Sequence, residues 1–186
     1  MKKYELTDET IKMYNCTLYR IRALTAFGNV KAGELGGFIE KEDNLSQQDN
    51  CWVYENARVF ENAEVYENAE VYENAEIYGN ARVFENARIY GNTRVFENAW
   101  IHRKTRIFGN ARISKNTDYI TISPIGCRNN ITTAFRTADG ARVKCGCFFG
   151  SIEEFEKKVI ETHKDNKYAE EYLAFIELLK IRFNEN

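Results

Sequence analysis

The sequence predicts a mainly β protein built around a parallel β-helix, with a small α+β domain at its C-terminal end. The first observation is a six-residue period, Val-Tyr-Glu-Asn-Ala-Glu with small variations, that runs from Val53 to Thr117 without a gap. The second is that this period stops after Thr117 and gives way to strand and helix patterns. Similarity at a short fixed period marks a solenoid, because one unit buries its apolar side only against its neighbours.

Each unit of the repeat has an aliphatic and a small residue at fixed positions. The aliphatic residues are Val53, Val59, Val65, Val71, Ile77, Val83, Ile89, Val95, Ile101, Ile107 and Ile113. The small residues, four positions later, are Ala57, Ala63, Ala69, Ala75, Ala81, Ala87, Thr93, Ala99, Thr105, Ala111 and Thr117. Side chains between them alternate inward and outward, as in a short strand. Glu-Asn or Gly-Asn forms the corner, since Asn and Gly accept the left-handed backbone of a sharp bend.

A six-residue unit with an aliphatic and a small inward residue resembles the hexapeptide-repeat family of left-handed β-helices, in which three units make one triangular coil. Such a coil stacks outward residues that are 18 apart in the sequence. Four of these pairs have opposite charges: Arg58–Glu76, Glu64–Arg82, Glu70–Arg88 and Glu76–Arg94. Two pairs, Arg88–Arg106 and Arg94–Arg112, have like charges. The balance favours the triangle, with a little under four coils from eleven units.

Length, charge and cysteines limit the classes of protein. A chain of 186 residues with a net charge of −2 has room for a real core and no global signature of nucleic-acid or membrane binding. Five cysteines without a CxxC spacing argue for reduced thiols and a cytoplasmic setting. No export signal or membrane-spanning run of apolar residues is expected.

We divide the chain into an N-terminal β cap with degenerate coils (1–50), the hexapeptide-repeat β-helix (51–117) and an α+β domain (118–186). The predicted strands of the cap are Lys3–Leu6, Ile11–Tyr14 and Thr17–Leu24, with a turn near Asn15. After a cluster of glycines, the approach to the repeat places Ile39, Leu45 and Cys51 at its small-residue positions. A cap of this kind prevents solenoids from stacking end to end.

The C-terminal domain is predicted to have three strands and two helices. The strands are Tyr119–Ile125, Ile131–Thr137 and Ala141–Phe149, the last two joined by the hairpin turn Ala138-Asp139-Gly140. Ser151 and Glu154 form a capping box for a first helix with Ile152, Phe155 and Val159 on its apolar face. The second helix runs from about Lys167 to Phe183, and its apolar stripe is Tyr168, Tyr172, Ile176, Leu179 and Phe183.

Five segments follow one another along the chain: Tyr4–Thr10, Leu18–Leu24, Gly36–Glu42, the hexads and Cys145–Gly150. In this order they resemble uncharacterised proteins encoded by phages and mobile elements of gut and other Gram-positive bacteria. The resemblance covers the whole chain. It implies an accessory role during infection or element maintenance, in the cytoplasm of the host cell, and it transfers no activity to named residues.

Outward aromatic residues of the repeat predict three ladders. Tyr54, Tyr72, Tyr90 and Phe108 stack on one face, Phe60, Tyr78 and Phe96 on the second, and Tyr66 and Phe84 on the third. Ladders stabilise a sheet, yet three of them also leave much apolar area exposed. We therefore expect at least one face to be covered by another subunit or a partner, with a homotrimer as the first expectation from the hexapeptide-repeat resemblance. The candidate surface residues are Tyr54, Tyr72, Tyr90, Phe108, Phe60, Tyr78 and Phe96.

Charge is distributed unevenly along the repeat. Residues Trp52 to Gly79 carry seven Glu and one Arg, whereas Asn80 to Thr117 carry eight Lys or Arg and two Glu. The next stretch adds further cations, of which Arg142 and Lys144 should face solvent, opposite Val143 and Cys145. The expected anion-binding residues are Arg128, Arg136, Arg142, Lys144, Arg106 and Arg112. The alternative is a solvated basic surface that the acidic helices neutralise.

Catalytic and metal sites have weaker support. His102 takes an outward position that other units fill with Tyr or Phe, so we read it as a ladder residue rather than a general base. Cys145 and Cys147 lie two apart on a predicted strand, and we expect both inside with Val143 and Phe149. Metal binding would need two more ligands, and Cys127 and His163 have no diagnostic spacing for it.

The leading hypothesis is a non-catalytic, oligomeric binding protein that sequesters a phosphate-bearing, nucleotide-type signal of host defence. Arginines would recognise its phosphates and aromatic rings its bases, without a cofactor. The second hypothesis is a protein-binding inhibitor, or a nucleic-acid mimic, of a host defence factor. The third is a hexapeptide-repeat acyltransferase. A pocket, a flat face or a cleft that contains a histidine would favour the first, second or third hypothesis respectively.

Overall fold

The structure is a computed structural model that describes residues 2–183. Residue 1, the first residue of the predicted N-terminal cap, lies outside the described residues. So do residues 184–186, the last three of the predicted α+β domain. The chain divides into two compact units, Met1–Asn116 and Thr117–Asn186. The first unit is a parallel β-solenoid of about four turns, and the second combines a small antiparallel sheet with two helices.

The first unit begins with the antiparallel hairpin β1 (Tyr4–Met13) and β2 (Cys16–Ala23). The turn lies at the predicted place, with Tyr14 in the left-handed region at a φ of 52°. The prediction of two separate strands before this turn was wrong. One strand runs through, because a shift of pairing between Leu6 and Thr10 absorbs the polar residues that suggested a break.

Strand β3 (Leu35–Ile39) joins the hairpin to the solenoid, pairing antiparallel with β2 and parallel with the repeat. Its Gly36 and Gly37 are required by close packing. A Cβ atom on Gly36 would lie 2.6 Å from the Val53 carbonyl oxygen, and one on Gly37 would lie 2.5 Å from that of Ala57. Glycine therefore lets the chain enter the first coil against the backbone of the second.

The positions of Ile39 and Leu45 differ from the prediction. Ile39 aligns with Val59 and Leu45 with Val65, so both occupy aliphatic positions rather than small ones. Cys51 keeps the small position, since its N–H bonds the carbonyl of Glu67 and that of Trp52 bonds the carbonyl of Ala69. The first coil therefore has two extra residues between Leu45 and Cys51.

The solenoid proper consists of eleven two-residue strands at a spacing of six. They are β4 (Trp52–Val53), β5 (Arg58–Val59), β6 (Glu64–Val65), β7 (Glu70–Val71), β8 (Glu76–Ile77), β9 (Arg82–Val83), β10 (Arg88–Ile89), β11 (Arg94–Val95), β12 (Trp100–Ile101), β13 (Arg106–Ile107) and β14 (Arg112–Ile113). Partners in neighbouring coils are 18 residues apart, as the triangular coil requires.

These strands form three parallel sheets, one on each side of the coil. Face A contains β3, β5, β8, β11 and β14, with the hairpin at its edge. Face B contains β4, β7, β10 and β13, and face C contains β6, β9 and β12. Inside, the aliphatic column and the Ala/Thr column are buried throughout, with exposures of 0 to 2% from Ala57 to Ala111. The predicted alternation of inward and outward residues is confirmed.

The corners confirm the prediction for Gly and contradict it for Asn. The left-handed residue is Glu, Gly or Arg, and the Asn that follows it has no positive φ: the corner residues are Glu55, Glu61, Glu67, Glu73, Gly79, Glu85, Gly91, Glu97, Arg103 and Gly109. A corner carboxylate accepts the backbone N–H one coil on, as Glu55 does from Glu73 at 3.0 Å. Asn is selected instead by its side chain, since the amide of Asn62 donates to Asn80 and that of Asn80 to Asn98 at 3.3 Å.

A buried cation closes the N-terminal end of the solenoid. Lys3 is 5% exposed, and its Nζ donates at 3.0 Å to the carbonyl oxygens of Gln48 and Cys51 and lies 3.3 Å from Cys51 Sγ. The ring of Phe27 lies 4.9 Å from the same nitrogen. Burial lowers the pKa of Lys3. The irregular segment with the two extra residues thus satisfies its carbonyl groups with a side chain in place of a further coil.

The second unit has four strands rather than the predicted three. They are β15 (Tyr119–Ile125), β16 (Asn130–Thr137), β17 (Gly140–Cys145) and β18 (Phe148–Gly150), paired antiparallel in this order. The predicted third strand is interrupted at Gly146, which has a φ of 55°. As a result Phe148 pairs with Cys145 and Phe149 with Lys144, so the alternation expected for an unbroken strand is reversed after the turn.

Helices α1 (Ile152–His163) and α2 (Lys167–Phe183) agree with the prediction. The Ser151–Glu154 capping box forms, with the Ser151 N–H donating to Glu154 Oε2 at 2.7 Å. The buried side of α2 differs slightly from the predicted stripe, because Ala169 and Phe175 are buried while Tyr168 is half-buried. No helix within residues 2–183 is long and apolar enough to cross a membrane.

We expect inward positions of the repeat to be intolerant of charge. Val83→Asp places an unpaired carboxylate at a fully buried position and should cost roughly 3 to 5 kcal/mol of unfolding free energy. Glu67→Gln, at a half-buried corner, should change it by less than about 0.5 kcal/mol. Urea denaturation measures both, and equal stability of the two variants would show that the inward and outward assignments are wrong.

The Lys3 cation gives a second stability prediction. Lys3→Met leaves buried carbonyl groups without a donor and should cost about 1 to 3 kcal/mol of unfolding free energy. Lys2→Met is the matched control, since Lys2 is exposed and its ion pair with Glu42 is a surface pair. If thermal denaturation gave the two variants the same midpoint, the cation would not be what closes this end.

Candidate functional site

The predicted basic residues of the second unit do not form one cluster. Arg136 is engaged within its own unit, with Nε 3.3 Å from Oδ1 of the buried Asp118 and its guanidinium 5.6 Å from the ring of Phe183. This arrangement supports a structural role for Arg136. Arg106 and Arg112 belong to the solenoid, in β13 and β14.

Arg142 and Lys144 share one face of β17, as predicted. They flank the fully buried Val143 and stand opposite Phe135 and Thr133 of the neighbouring strand. Both are half-buried. Their side of the sheet is the one opposite the helices, because Val143 belongs to the core that the helices cover.

Arg128 lies elsewhere, on the turn between β15 and β16, where it is exposed. The turn runs from Gly126 to Asn129, whose N–H bonds the carbonyl of Gly126 at 3.1 Å. Gly126 must be glycine here: its φ is +67°, and a Cβ would lie 2.0 Å from the hydroxyl of Tyr172. Its N–H donates to Glu171 Oε2 at 3.0 Å, which fixes the turn against α2.

This turn borders a cavity of about 240 Å³ within the second unit. The remaining walls come from the β17–β18 turn and from both helices. The lining residues are Cys127, Arg128, Asn130, Cys145, Gly146, Cys147, Phe148, Phe155, Lys158, Val159, Thr162, His163 and Tyr172. Of the residues predicted to bind anions, Arg128 alone is part of this described lining.

Aromatic rings form much of the cavity wall. Phe148 and Phe155 lie 5.2 Å apart, and Tyr172 meets Phe155 edge-on at 5.6 Å and His163 at 5.6 Å. The Tyr172 hydroxyl is 3.5 Å from Cys145 Sγ. Burial raises the pKa of Tyr172, with smaller contributions from Cys145, Cys127 and Glu171, so this hydroxyl remains neutral.

The charged side chains of the cavity lining are Arg and Lys. Arg128 and Lys158 are its cations, and none of the lining residues within the described chain is Asp or Glu. Lys158 is exposed and forms an ion pair with Glu161 at 2.8 Å, which raises the pKa of Lys158. Lys158, Thr162, His163 and Tyr172 were not identified as site residues from the sequence, where they read as ordinary helix positions.

The three cysteines of the cavity correct another expectation. Cys145 is half-buried, but Cys147 is exposed rather than inside, and Phe149 is 46% exposed. The turn at Gly146 is the reason, since it ends the alternation on which the expectation was based. Cys127 is also exposed, and within residues 2–183 no group of three or more His, Cys, Asp or Glu side chains is arranged to hold a metal ion.

Five of the predicted ring stacks form in the first unit. Ring centroids lie 4.4 to 5.4 Å apart with planes within 10° of parallel, in the stacked pairs Tyr54–Tyr72, Tyr90–Phe108, Phe60–Tyr78, Tyr78–Phe96 and Tyr66–Phe84. His102 stacks on Phe84 at 5.3 Å, which agrees with its interpretation as a ladder residue.

One ladder residue is not available to a partner. Phe60 on face A is fully buried, because Leu18 and Phe38 pack on it together with partly buried residues of the N-terminal hairpin. The prediction that Phe60 belongs to a partner surface was therefore wrong. The other ladder residues on faces A and B, Tyr54, Tyr72, Tyr90, Phe108, Tyr78 and Phe96, are half-buried.

The predicted charge pairs between coils also form. Arg58 and Arg94 share the buried Glu76, at 3.1 and 3.0 Å. Glu70 pairs with Arg88 at 2.7 Å, and Glu64 with Arg82 at 3.3 Å. In the last coil Arg106 stacks beside Arg88 and Arg112 beside Arg94, and neither Arg106 nor Arg112 has an ion pair among residues 2–183.

Comparison with known proteins supports the repeat. The family described as YdcK beta-solenoid repeat matches residues 87–103. A protein called "uncharacterized acetyltransferase YdcK", from Escherichia coli strain K12, is 37% identical over 62 residues, which is 29% of this chain and 19% of that protein. The chain thus matches about a fifth of that relative's length. These similarities fit a β-helix repeat protein.

The tyrosine ladders predict a loss of stability in alkali. Burial raises the pKa of Tyr54 to about 12 and raises those of Tyr66, Tyr72, Tyr78 and Tyr90. Because unfolded tyrosine ionises near pH ~10, the neutral ladders contribute stability that is complete below that value and is lost as the pH rises through the folded pKa. Melting temperatures measured from neutral pH to about pH 11 should fall at the upper end, and less for Tyr72→Phe. An equal fall in both proteins would contradict a contribution from this ladder.

Proposed function

We propose that this chain is a non-catalytic β-solenoid binding protein whose second unit holds a small phosphate-bearing molecule in the cavity beside Arg128. The observation that carries the proposal is the combination of aromatic walls, two cations and no carboxylate in that lining. Binding pockets are typically apolar with a few convergent polar groups. The cavity has this composition on a small scale.

The charges favour an anionic group at the Arg128 side. A guanidinium on an exposed turn donates to phosphate in a planar, two-pronged geometry. Helix α1 ends at His163, and the last carbonyl groups of a helix carry partial negative charge, which disfavours an anion at that wall. We therefore place the phosphate at Arg128, with Lys158 as the second cation.

The rings favour a flat partner for the rest of the ligand. Phe148, Phe155 and Tyr172 offer ring faces and edges, and bases stack on aromatic side chains with little dependence on sequence. A volume of about 240 Å³ is below the roughly 300 to 1,000 Å³ of pockets for drug-sized ligands. The size is that of a mononucleotide or a smaller phosphate ester rather than of an extended dinucleotide.

Sequestration is the role we propose for this binding. The described lining has no hydroxyl or thiol paired with a positioned base of the kind that a transfer reaction needs, so the site is suited to holding a ligand unchanged. The similarity to proteins of phages and mobile elements makes a nucleotide signal of host defence the ligand class we favour. Docking to a host defence protein is the alternative reading of the same similarity.

Acyl transfer is the second candidate, since the E. coli relative carries the name of an acetyltransferase. The repeat residues that match the solenoid family include His102, but its stacking on Phe84 supports a ladder role. The regular spacing from β4 to β14 also leaves no loop of the kind that covers a donor between coils. Acetyl-CoA therefore belongs in any test of ligands as the compound of the competing hypothesis.

The ligand prediction compares the unchanged protein, Arg128→Gln and Arg142→Gln for binding to one set of compounds. Native mass spectrometry of protein purified from its host first identifies any retained molecule. Calorimetry then uses nucleoside monophosphates, cyclic dinucleotides, ADP-ribose and acetyl-CoA. Arg128→Gln should weaken binding of the phosphate compound by about ten- to a hundredfold, the loss of one charge-assisted bond of roughly 1.5 to 3 kcal/mol.

Arg142→Gln is the matched control, because Arg142 lies on the side of β17 that faces away from the helices and the cavity. The affinity of the Arg142→Gln variant for the phosphate compound should equal that of the unchanged protein. Equal losses in both variants, or binding of no compound, would contradict a phosphate site at Arg128. Binding of acetyl-CoA with turnover would support the competing hypothesis.

A further inference from the structure

Face B of the described solenoid carries four aromatic rings along its outer side, in two stacked pairs. Tyr54 stacks on Tyr72 at 4.4 Å and Tyr90 on Phe108 at 5.0 Å, and all four rings are half-buried. The N-terminal hairpin packs on the ladder of face A, whereas on face B only the loop at Gly28 and Asn29 borders the described rings, beside Tyr54. None of these four rings is part of the described cavity in the second unit.

The charges on face B are separated along the solenoid. At the N-terminal end the corners are the exposed Glu55 and Glu73, and at the other end they are the half-buried Gly91 and Gly109. Arg88 and Arg106 are exposed at the glycine end. Glu70 neutralises part of the charge of Arg88, at 2.7 Å, while Arg106 has no ion pair within residues 2–183. The face is therefore acidic at one end and basic at the other.

We propose that face B binds face B of a second copy of this chain, with the two solenoids antiparallel. A twofold axis between the second and third coils of the face places Tyr72 opposite the partner's Tyr90 and Tyr54 opposite the partner's Phe108. It also places each acidic corner opposite a glycine corner. Because glycine leaves space there, Glu55 reaches the partner's Arg106, and Glu73 reaches the partner's Arg88.

The charge gradient selects this arrangement over a parallel one. A ring of parallel solenoids, such as the trimer expected from the hexapeptide-repeat resemblance, puts acidic coils beside acidic coils and Arg106 beside its own copies. Like charges in contact disfavour association, whereas complementary ends orient it. In the antiparallel pair the same surface patch serves both copies, as a twofold contact requires.

The size of the face sets the strength of the contact. Four coils at about 4.8 Å and a six-residue side at about 3.3 Å per residue give roughly 380 Å² per copy. Stable complexes bury about 800 Å² per partner. The pair is therefore weak, with a dissociation constant of roughly 10 µM to 1 mM, and it weakens further in salt.

A charge swap tests the geometry. Arg106→Glu and Glu55→Lys, each alone, face like charges across the contact and should raise the dissociation constant at least about tenfold. An equimolar mixture of the two variants has opposite charges at both contacts, as does the double variant Glu55→Lys/Arg106→Glu. Sedimentation velocity from about 10 µM to 1 mM protein should show that both recover self-association.

The controls come from the equivalent positions of face A. Glu61 accepts the N–H of Gly79 at 2.8 Å as Glu55 accepts that of Glu73 at 3.0 Å, so Glu61→Lys loses the same internal bond as Glu55→Lys. Arg112 is the counterpart of Arg106 in the last coil. Glu61→Lys and Arg112→Glu should leave self-association unchanged, and thermal melting confirms that every variant is folded.

A protein that stays monomeric over the whole concentration range would overturn the proposal. So would a trimer, single variants without effect, or dissociation that the mixture does not reverse. Loss of association in each single variant supports it, because a parallel contact brings residue 55 near residue 55 and residue 106 near residue 106, where either substitution only replaces one like-charged pair with another. The result is independent of the ligand site, which lies in the other unit.

Discussion

The structure of the first unit depends on one constraint, the spacing of 18 residues between stacked strands. Backbone N–H groups of one coil bond carbonyl groups of the next, as from Arg58 to Ala75 and from Phe60 to Ile77. That spacing aligns every side chain with its equivalent one coil away. Inward, it produces the continuous aliphatic and Ala/Thr columns. Outward, it produces ladders from any residue that recurs, which explains the stacked rings, the amide chains of Asn62, Asn80 and Asn98, and the ion pairs.

The sequence was sufficient wherever the period decides the structure and insufficient where the period is lost. The column of Val83, the stacking of Tyr54 on Tyr72 and the pairing of Glu76 with Arg94 follow from spacing alone. The positions of Ile39 and Leu45 do not, because two extra residues at the entry are accommodated through contacts with Lys3. The presence of Asn at the corner was attributed to its backbone preference. In the structure, the hydrogen bonds between Asn side chains of neighbouring coils explain why Asn recurs there.

The candidate site shows the same limit in the second unit. Arg128 was identified because it lies in a run of basic residues, but the cavity beside it is formed by two turns and two helices that are distant in the sequence. Gly146 interrupts a strand that the pattern continues, which moves Cys147 to the surface and brings Phe148 to the core side. Tyr172 and His163 reach the cavity only through the packing of the helices. No spacing in the chain encodes these contacts.

The charge gradient of the solenoid is not needed for its fold. Outward strand positions accept Glu in β7 and Arg in β10 with the same backbone, and the inner columns do not change. The ion pairs between coils do not extend to the last coil of face B. There Arg106 stacks on Arg88 with no carboxylate between them. Two such charges about 5 Å apart at a surface repel by about 1 kcal/mol in water and more where water is partly excluded. An isolated solenoid would gain from Glu at position 106. Its Arg is therefore in keeping with the proposed antiparallel contact, in which the acidic corner of a second copy would supply an anion.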